Sequence, residues 1–449
     1  MKKVQGDFIK TARGYSRRRF LTTTAAAVAL PTIVPSSIFG QNSPSNRITV
    51  GVVGWGMQGP QNTQNFLAEA DCQVVAACDL DKNHLKKAVD TINEKFQNKD
   101  CAAYHDYREL LARKDIDAVM LAVPDHWHAL VAMEAARQKK DIYGEKPLAK
   151  TIAEQQAIVR SVQQNNIIWQ TGSWRRSQAM YRKAAEIVRN GLIGKVKNVE
   201  VGLLDGHINF LGQFGVSEPS FTAQAPPPEL DYETWIGPSR MEPYIQARVH
   251  TNWRWNYNTG GGMLMDWIGH FCDIAHWGLD CDRSGPSEIE GHGDFPPADA
   301  VFNTATKYRI ELKYPQDVHM TIAGGYPEIE QESTKWIGTD GWVSVNNEGL
   351  DSSNAELRKG KSLPDDLRKI KLYESPGHVR NFLDCVKSRK PTVAPVETAH
   401  HSAIPGHLGL ISMLTGQKIN WDVEKEEIVG NAEAGKLLTR DYRAPWKLS

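Results

Sequence analysis

Residues 48–59 read ITVGVVGWGMQG, and this stretch narrows the architecture further than any other. ITVGVVG is apolar and β-branched, the composition of a strand buried on both faces in a parallel sheet. It runs into Gly54-Trp55-Gly56-Met57-Gln58-Gly59, a G-x-G-x-x-G loop at a strand end. A second apolar run, CQVVAACD, ends in Asp79, twenty residues beyond Gly59. Strand, glycine loop, helix, strand and terminal acid is the Rossmann order. In that order Gly54 permits the tight turn, Gly56 lets backbone approach a pyrophosphate, and Gly59 lets helix and strand pack closely. Trp55 and Met57 belong to the same nucleotide-binding loop. The helix that follows offers free N–H groups and a positive dipole end to the phosphates.

Asp79 bears on which nucleotide is bound. A carboxylate there accepts hydrogen bonds from both ribose hydroxyls of NAD and repels the 2′-phosphate of NADP. No arginine follows in DLDKNHLKK, although Lys82 and the lysines after it leave NADP as an alternative. Asp79 also has a structural reading, as the N-cap of the helix begun by KNHLKKAVDTI.

The alternation continues. DAVMLAV (117–123) predicts another buried strand and residues 127–139 a helix. DIYGEKP (141–147) predicts a short strand ending in a charged loop, and residues 151–165 and 167–172 a final helix and strand. Such alternation predicts a doubly wound parallel sheet with its ligand at the carboxyl edge. Pro124, Glu145 and Lys146 fall at that edge, where strand ends converge on the nucleotide.

A different pattern begins after residue 172. KVKNVEVGLL (195–204) is strand-like, and residues 205–260 are rich in proline, glycine and tryptophan, a loop long enough to carry function. The runs ATKYRIELKY, VHMTIAGG, STKWIGTDGWVSVNN and KIKLYE alternate as half-exposed strands do. PGHVRNFLDCVKS and HHSAIPGHLGLISMLTGQ read as helices that pack back on this sheet, and the tail beyond about residue 425 as a surface-wrapping segment. Within GGGMLMDWIGH (260–270), Asp266 and His270 stand one helical turn apart and project from one face. Such a pair can hold a hydroxyl and take its proton, and it also fits an ordinary helix. The three glycines before it would let backbone approach a ligand. Trp253 and Trp255, either side of Arg254, offer flat faces on which a sugar can stack, or else pack in the core.

GVVGWGMQG, VPDHWHALVAMEAARQKKDIYGEKPLAK and GGGMLMDWIGHFCDIAHW together resemble the glucose–fructose oxidoreductase / inositol dehydrogenase / rhizopine-catabolism family, Gfo/Idh/MocA. The resemblance runs from about Arg47 to about Gly416. It implies an α/β chain with an N-terminal Rossmann domain (45–172). It also implies a C-terminal α+β domain (173–449) whose large, open, mostly antiparallel sheet covers the active site and often meets a partner subunit in a dimer or tetramer. It implies that Lys146 is the lysine of the E-K-P motif, beside the nicotinamide and the substrate hydroxyl. Asp266 and His270 become the substrate-binding and acid–base pair, and His128 and Glu145 supports of the cofactor site. Arg176 becomes a cofactor contact, with Arg175 adjacent and turned to substrate.

The 449 residues suffice for two domains. Fifty-three basic residues balance fifty-three acidic ones, so no global field recruits nucleic acid or an anionic surface. The six cysteines include no C-x-x-C pair and suggest neither a zinc site nor a disulfide framework. His126, His128, His250 and His276 match no recognised zinc spacing, so no metal is expected. At the N-terminus SRRRFL precedes a short apolar run, and no acid occurs between Asp7 and Glu69. This is the layout of an export signal over residues 1–44, too short in its apolar run to span a membrane. It resembles the twin-arginine type, with Arg17 and Arg18 as the pair, and predicts a periplasmic or otherwise exported protein.

Removing hydride from an alcohol carbon leaves a hydroxyl proton, which a histidine or a lysine of lowered pKa can take. These expectations describe an NAD-dependent oxidoreductase acting on a sugar, polyol or glycoside. Free NAD is scarce outside the cytoplasm, so the cofactor should stay bound and be recycled. A redox-neutral glycosidase that oxidises, eliminates, hydrates and reduces again is the alternative, and a non-catalytic sugar- or cofactor-binding protein a third.

Overall fold

A computed structural model describes residues 47–315 and 317–448. The export segment expected over residues 1–44 therefore lies outside the described residues. The first sheet is parallel and six-stranded in the order β3-β2-β1-β4-β5-β6. Its strands are β1 (Ile48–Val53), β2 (Cys72–Cys78), β3 (Ala102–Tyr104), β4 (Ala118–Leu121), β5 (Asp141–Gly144) and β6 (Trp169–Thr171). Val50 pairs with Val74 on one side and Ala118 on the other. The strand order reverses at β1 and β4, and a crevice at the carboxyl ends of such a switch point is where this fold binds ligands.

Capping residues set the helix starts. Asp81, rather than Asp79, caps the helix Lys82–Phe96, its carboxylate accepting from the backbone N–H of Asn83 and His84. Asp79 is thereby free of that task. Thr151 and Glu154 form a reciprocal capping box at the helix Ile152–Asn165.

The second sheet has nine strands in the order β13-β12-β11-β7-β10-β9-β8-β14-β15. They are β7 (Val196–Leu203), β8 (Glu288–Asp294), β9 (Lys307–Tyr314), β10 (Val318–Gly324), β11 (Ser333–Gly338), β12 (Trp342–Asn346), β13 (Leu350–Ser352), β14 (Ile419–Asp422) and β15 (Glu427–Val429). Every pair is antiparallel except β7 with β10. The helix Gly262–Leu279 lies across one face, where Thr334 Oγ1 donates to the Phe271 carbonyl at 2.9 Å and the Trp336 indole to that of Ala275 at 3.3 Å. Burial of this helix on nearly every side explains why its sequence lacks a clean polar stripe.

Two expectations are corrected and one strand is added. KIKLYE (369–374) is irregular rather than a strand; Ile370 N–H and Leu372 N–H are taken by side chains of Asn190 and Glu186 instead of a neighbouring strand. The short strand β3 escaped the sequence pattern because three residues carry too little periodicity. The helix His378–Ser388 packs not on the second sheet but on the first: Phe382 meets Phe66 and Tyr143 edge-on, and Arg380 pairs with Asp71. The helix Val396–Thr415 reaches both cores, through Val396 and Ala399 on one side and Ile404 and Leu408 on the other.

The long segment 205–260 is ordered by short turns and by contact with the first sheet's edge. Leu230 bridges Asp81, Lys82 N–H donates to the Glu229 carbonyl, and Asp231 N–H to that of Leu80. Among the described residues no helix is long and apolar enough to cross a membrane.

Candidate active site

A cavity of about 600 Å³ opens at the carboxyl ends of the first sheet. The glycine loop, the loop after β5, the turn around Trp253, the helix Gly262–Leu279 and the chain's last residues all contribute to its walls. Gly54 takes a left-handed φ of 95°, and a side chain there would strike the Ala122 carbonyl at 2.4 Å; one at Gly59 would strike the Gly54 carbonyl at 2.1 Å. A Cβ at Gly56 would meet nothing within 4 Å, so the backbone faces the cavity bare. Gly54, Gly56, Met57, Asp79, Pro124, His128, Glu145 and Lys146 all line it. Trp55 is buried beside it, and its backbone N–H donates to Asp79 Oδ2 at 2.7 Å while Asp81 N–H donates to Oδ1 at 2.8 Å. Burial pushes the Asp79 carboxyl up to about 6 against these two hydrogen bonds.

The loop after β5 is fixed from both sides. Glu145 accepts from Asn62 at 2.7 Å, in the first helix, and burial raises its carboxyl. The two ring nitrogens of His128 lie 2.8 Å from the carbonyls of Val123 and Pro147, tying the end of β4 to the E-K-P loop. Lys146 then projects across the cavity floor. Its Nζ donates to the Asp266 carbonyl at 2.6 Å and to Asp266 Oδ1 at 3.1 Å. An ammonium has three N–H groups, so one remains for a substrate oxygen.

Asp266 also takes Arg254 Nε at 2.8 Å. Burial by itself would raise this carboxyl, but Arg254 and then Lys146 outweigh it and hold it down at about 2. It is an anion near neutrality and an anchor rather than a proton carrier. His270 follows one turn later, edge-on to Trp267 and to Trp174, with its Nδ1 buried and no described hydrogen-bond partner for it. Burial, and then the positive charges of Arg175 and Lys146, push its protonation well below the usual range. The ring is therefore neutral and has a lone pair to offer.

Asp125, the first residue of the helix Asp125–Arg137, lines the same cavity and is 3% exposed. Its Oδ1 is buried with no described partner. Burial raises its carboxyl, with Arg254 and Lys150 pulling the other way, while burial lowers the Lys150 amine. Lys150 sits over the Tyr257 ring and donates to the Gly260 carbonyl at 2.8 Å. A buried carboxyl without a partner is costly unless a ligand or a proton satisfies it.

Several sequence expectations are corrected. Arg176 is 2% exposed and does not reach the cavity; its guanidinium is taken by Asp273 at 2.7 Å and Asp282 at 2.7 Å, so it locks the helix Gly262–Leu279 rather than contacting a cofactor. Arg175 lies behind the cavity wall, donating to Asn347 at 2.9 Å and stacked 4.3 Å over Phe271, and acts on His270 through its charge alone. Trp255 is fully buried, its indole donating to the Ile208 carbonyl at 2.8 Å, and presents no face to a sugar. Trp253 does line the cavity. The three glycines serve packing: a side chain at Gly260 would meet Arg254 at 2.8 Å, and one at Gly262 would meet Thr304 at 2.7 Å.

Sequence reasoning missed five contributors. Asp125 was legible only as part of P-D-H-W-H. Arg254 stands between two tryptophans, a setting that marks it as no more than a spacer. Trp174 gave no local signal, and Pro445 and Trp446 reach the cavity from a tail that reads as surface wrapping.

Two family models cover nearly all the described chain: "Oxidoreductase family, NAD-binding Rossmann fold" over residues 48–173 and "Oxidoreductase family, C-terminal alpha/beta domain" over residues 176–448. Among curated relatives, "Glycosyl hydrolase family 109 protein 2" of a Shewanella species is 31% identical over 216 residues, 42% of this chain and 46% of that protein. The chain thus matches less than half the length of the curated relatives it resembles. Among solved structures, a probable dehydrogenase from Thermotoga maritima matches with TM-score 0.56 at 19% identity, over 84% of this chain and all of that one. The aldose-aldose oxidoreductase of Caulobacter crescentus gives 0.59 at 16%, over 83% and 99%. At such identities the structures establish likeness of fold. With both domain models matched across a shared cavity, the chain belongs to the Gfo/Idh/MocA oxidoreductase family, whose first domain is an NAD-binding Rossmann fold.

Proposed function

We propose that the protein is an NAD-dependent oxidoreductase acting on a hydroxyl-bearing carbon of a sugar, polyol or glycoside, with its nucleotide retained between turnovers. The observation that carries this reading is the meeting of Lys146, from the Rossmann side, with Asp266, from the second domain, 2.6 Å and 3.1 Å apart in one cavity. The residues fit a dinucleotide: bare backbone at Gly56, a carboxylate at Asp79 held open by two backbone N–H groups, and an unpartnered Asp125. Bound nicotinamide would supply a hydride acceptor and donor. Lys146 would hold the substrate hydroxyl with its remaining N–H, Asp266 would fix the ammonium, and the neutral ring of His270 would accept the hydroxyl's hydrogen bond and carry its proton only in passing, since burial, Arg175 and Lys146 oppose the imidazolium. NAD is favoured over NADP because Lys82 Nζ is turned to the Pro228 carbonyl at 3.3 Å, leaving Asp79 to face the ribose. Residues of the segment 205–260 and Trp446 line the crevice, which suits slow nucleotide release. Retention in turn suits an exported protein, and residues 1–44 are read as its twin-arginine signal.

Asp125 favours a second reading, the redox-neutral glycosidase. A buried carboxyl of raised pKa can protonate a departing glycosidic oxygen, as general acids do, and the family 109 glycosyl hydrolases are relatives. To test both readings, the purified protein is denatured to identify released nucleotide by mass spectrometry, then screened with sugars and glycosides. A reduced-nicotinamide absorbance that rises with one sugar and falls with a second supports net oxidoreduction. Release of an aglycone without net NADH supports the glycosidase, and absence of nucleotide and of both signals overturns the proposal.

A further inference from the structure

The cavity wall next to Asp79 carries Asp81, His84 and His250, whose ligand atoms all lie within 4.8 Å of one another. Asp81 and His84 belong to the first turn of the helix Lys82–Phe96 and its cap, whereas His250 comes from the long segment 205–260. Asp81 Oδ1 is occupied by the N–H groups of Asn83 at 2.8 Å and His84 at 3.1 Å, which leaves Oδ2 as a fixed, single donor atom. His250 Nε2 stands 3.6 Å from that oxygen, and His84 Nδ1 3.9 Å from Asp79 Oδ2. Both separations are too long for hydrogen bonds. The two imidazoles are 4.8 Å apart and tilted by 52°, so they do not stack, while Phe214 stacks on His84 at 5.1 Å and fixes its plane. His250 is held at a left-handed φ of 51°, a conformation costly for a residue with a side chain.

We propose that Asp81, His84 and His250 bind a divalent cation of the zinc class, and that the ion fastens the segment 205–260 to the nucleotide-binding domain. Two imidazoles and one carboxylate are a zinc ligand set that keeps an open coordination position. Bonds of roughly 2.0–2.2 Å in a tetrahedron place ligand atoms roughly 3.3–3.6 Å apart, so the 3.6 Å between His250 and Asp81 already matches. The three residues line both the main cavity and a second one of about 410 Å³ beyond it, which gives the ion a path from solvent. The ion would join a nucleotide-domain helix to the turn that carries Trp253 and Arg254, and Arg254 holds Asp266. Slower nucleotide loss from the metal-loaded protein follows, a consequence that rests on the cofactor reading above.

The test uses the full chain after chelation, titrated with Co²⁺ and then with Zn²⁺. The expected result is one Co²⁺ per chain with the visible absorption of a four- or five-coordinate ion, displaced by Zn²⁺. His84→Gln and His250→Gln should each weaken Co²⁺ binding by more than the roughly 10–100-fold that loss of an outer-shell partner costs. Nucleotide release from the wild-type chain should be at least roughly tenfold slower with Zn²⁺ than after chelation. Absence of the Co²⁺ signal in the wild-type chain, or its persistence in both variants, overturns the site. Unchanged nucleotide release with Zn²⁺ bound overturns the fastening. If no nucleotide copurifies, the cofactor reading fails while the Co²⁺ titration still decides the site.

Discussion

Lys146 and Asp266 lie 120 residues apart in sequence, yet the lysine ammonium donates to both the carbonyl and the carboxylate of the aspartate, at 2.6 Å and 3.1 Å. The contact joins the loop after β5 to a helix of the other domain. It also crosses the helix surface at Gly269, where an added Cβ would lie 2.9 Å from that of Lys146. Replacing Lys146 by alanine should leave nucleotide binding intact and cut turnover by roughly 10²–10⁴-fold. Pre-steady-state absorbance at the nicotinamide band, with bound nucleotide quantified in parallel, separates the two effects.

Asp266 gives a stability prediction with a definite sign. Its folded-state carboxyl lies at about 2, below the ordinary 3.8. A depressed carboxyl stabilises the fold above its unfolded value and loses that contribution as pH falls through the folded one. The buried ion cluster should therefore contribute roughly 2 kcal/mol above about pH 4 that disappears toward about pH 2. Asp266→Asn should cost roughly 3–5 kcal/mol at neutral pH, because Arg254 and Lys146 stay buried without their anion. Urea denaturation of both proteins at pH 7 and at pH 3 reads the difference, which should narrow at the lower pH.

Asp125 behaves in the opposite sense. Burial raises its carboxyl above the ordinary value, so the folded chain binds more protons than the unfolded one over the interval between. This residue's contribution is fully present below the ordinary carboxylate range and fades as pH rises toward neutrality. Asp125→Asn should remove that slope and stabilise the nucleotide-free protein at pH 8 relative to wild type. Thermal unfolding across pH 4–8 is the measurement, and an unchanged slope would count against a buried, unpartnered carboxyl.

Asp79 should set nucleotide choice. With its two oxygens held by the N–H groups of Trp55 and Asp81, it should repel a 2′-phosphate. Asp79→Ser should weaken NAD by roughly tenfold or more, the effect of losing charge-assisted hydrogen bonds of about 1.5–3 kcal/mol. NADP should gain relative to NAD. Isothermal titration with both nucleotides decides it.

Trp253 and Trp255 should separate cleanly. Trp255 is fully enclosed and hydrogen-bonded, so Trp255→Ala should destabilise by roughly 3–5 kcal/mol. Trp253 borders the cavity and stacks 4.5 Å from the Arg254 guanidinium. Trp253→Ala should chiefly raise KM for a sugar substrate, with a smaller fall in Tm. Equal losses of stability in the two variants would place both in the core.

The first domain was largely legible because each device in it is local. A buried parallel strand announces itself by β-branched residues, and Gly54 and Gly59 are required by contacts with the Gly54 and Ala122 carbonyls a few residues or one strand away. The second domain was legible in outline, since β9, β10 and β11 alternate. Arg176 misled because nothing in its neighbourhood reveals Asp273 and Asp282, about a hundred residues on, which take up its charge. Asp125 was missed for the converse reason: its isolation is a property of everything that surrounds it.

What the sequence determined by itself was whatever depends on short-range periodicity and backbone freedom: the glycine loop, the alternation of strands and helices in a nucleotide-binding domain, the acid at the end of β2, and the one-turn spacing of Asp266 and His270. Tertiary structure decided which charges meet. It paired Lys146 and Arg254 with Asp266, left Asp125 alone, hid Trp255, exposed Trp253 to the cavity and brought His250 to Asp81. Electrostatics and burial act through space, and the distances that govern them are set only when distant segments pack together.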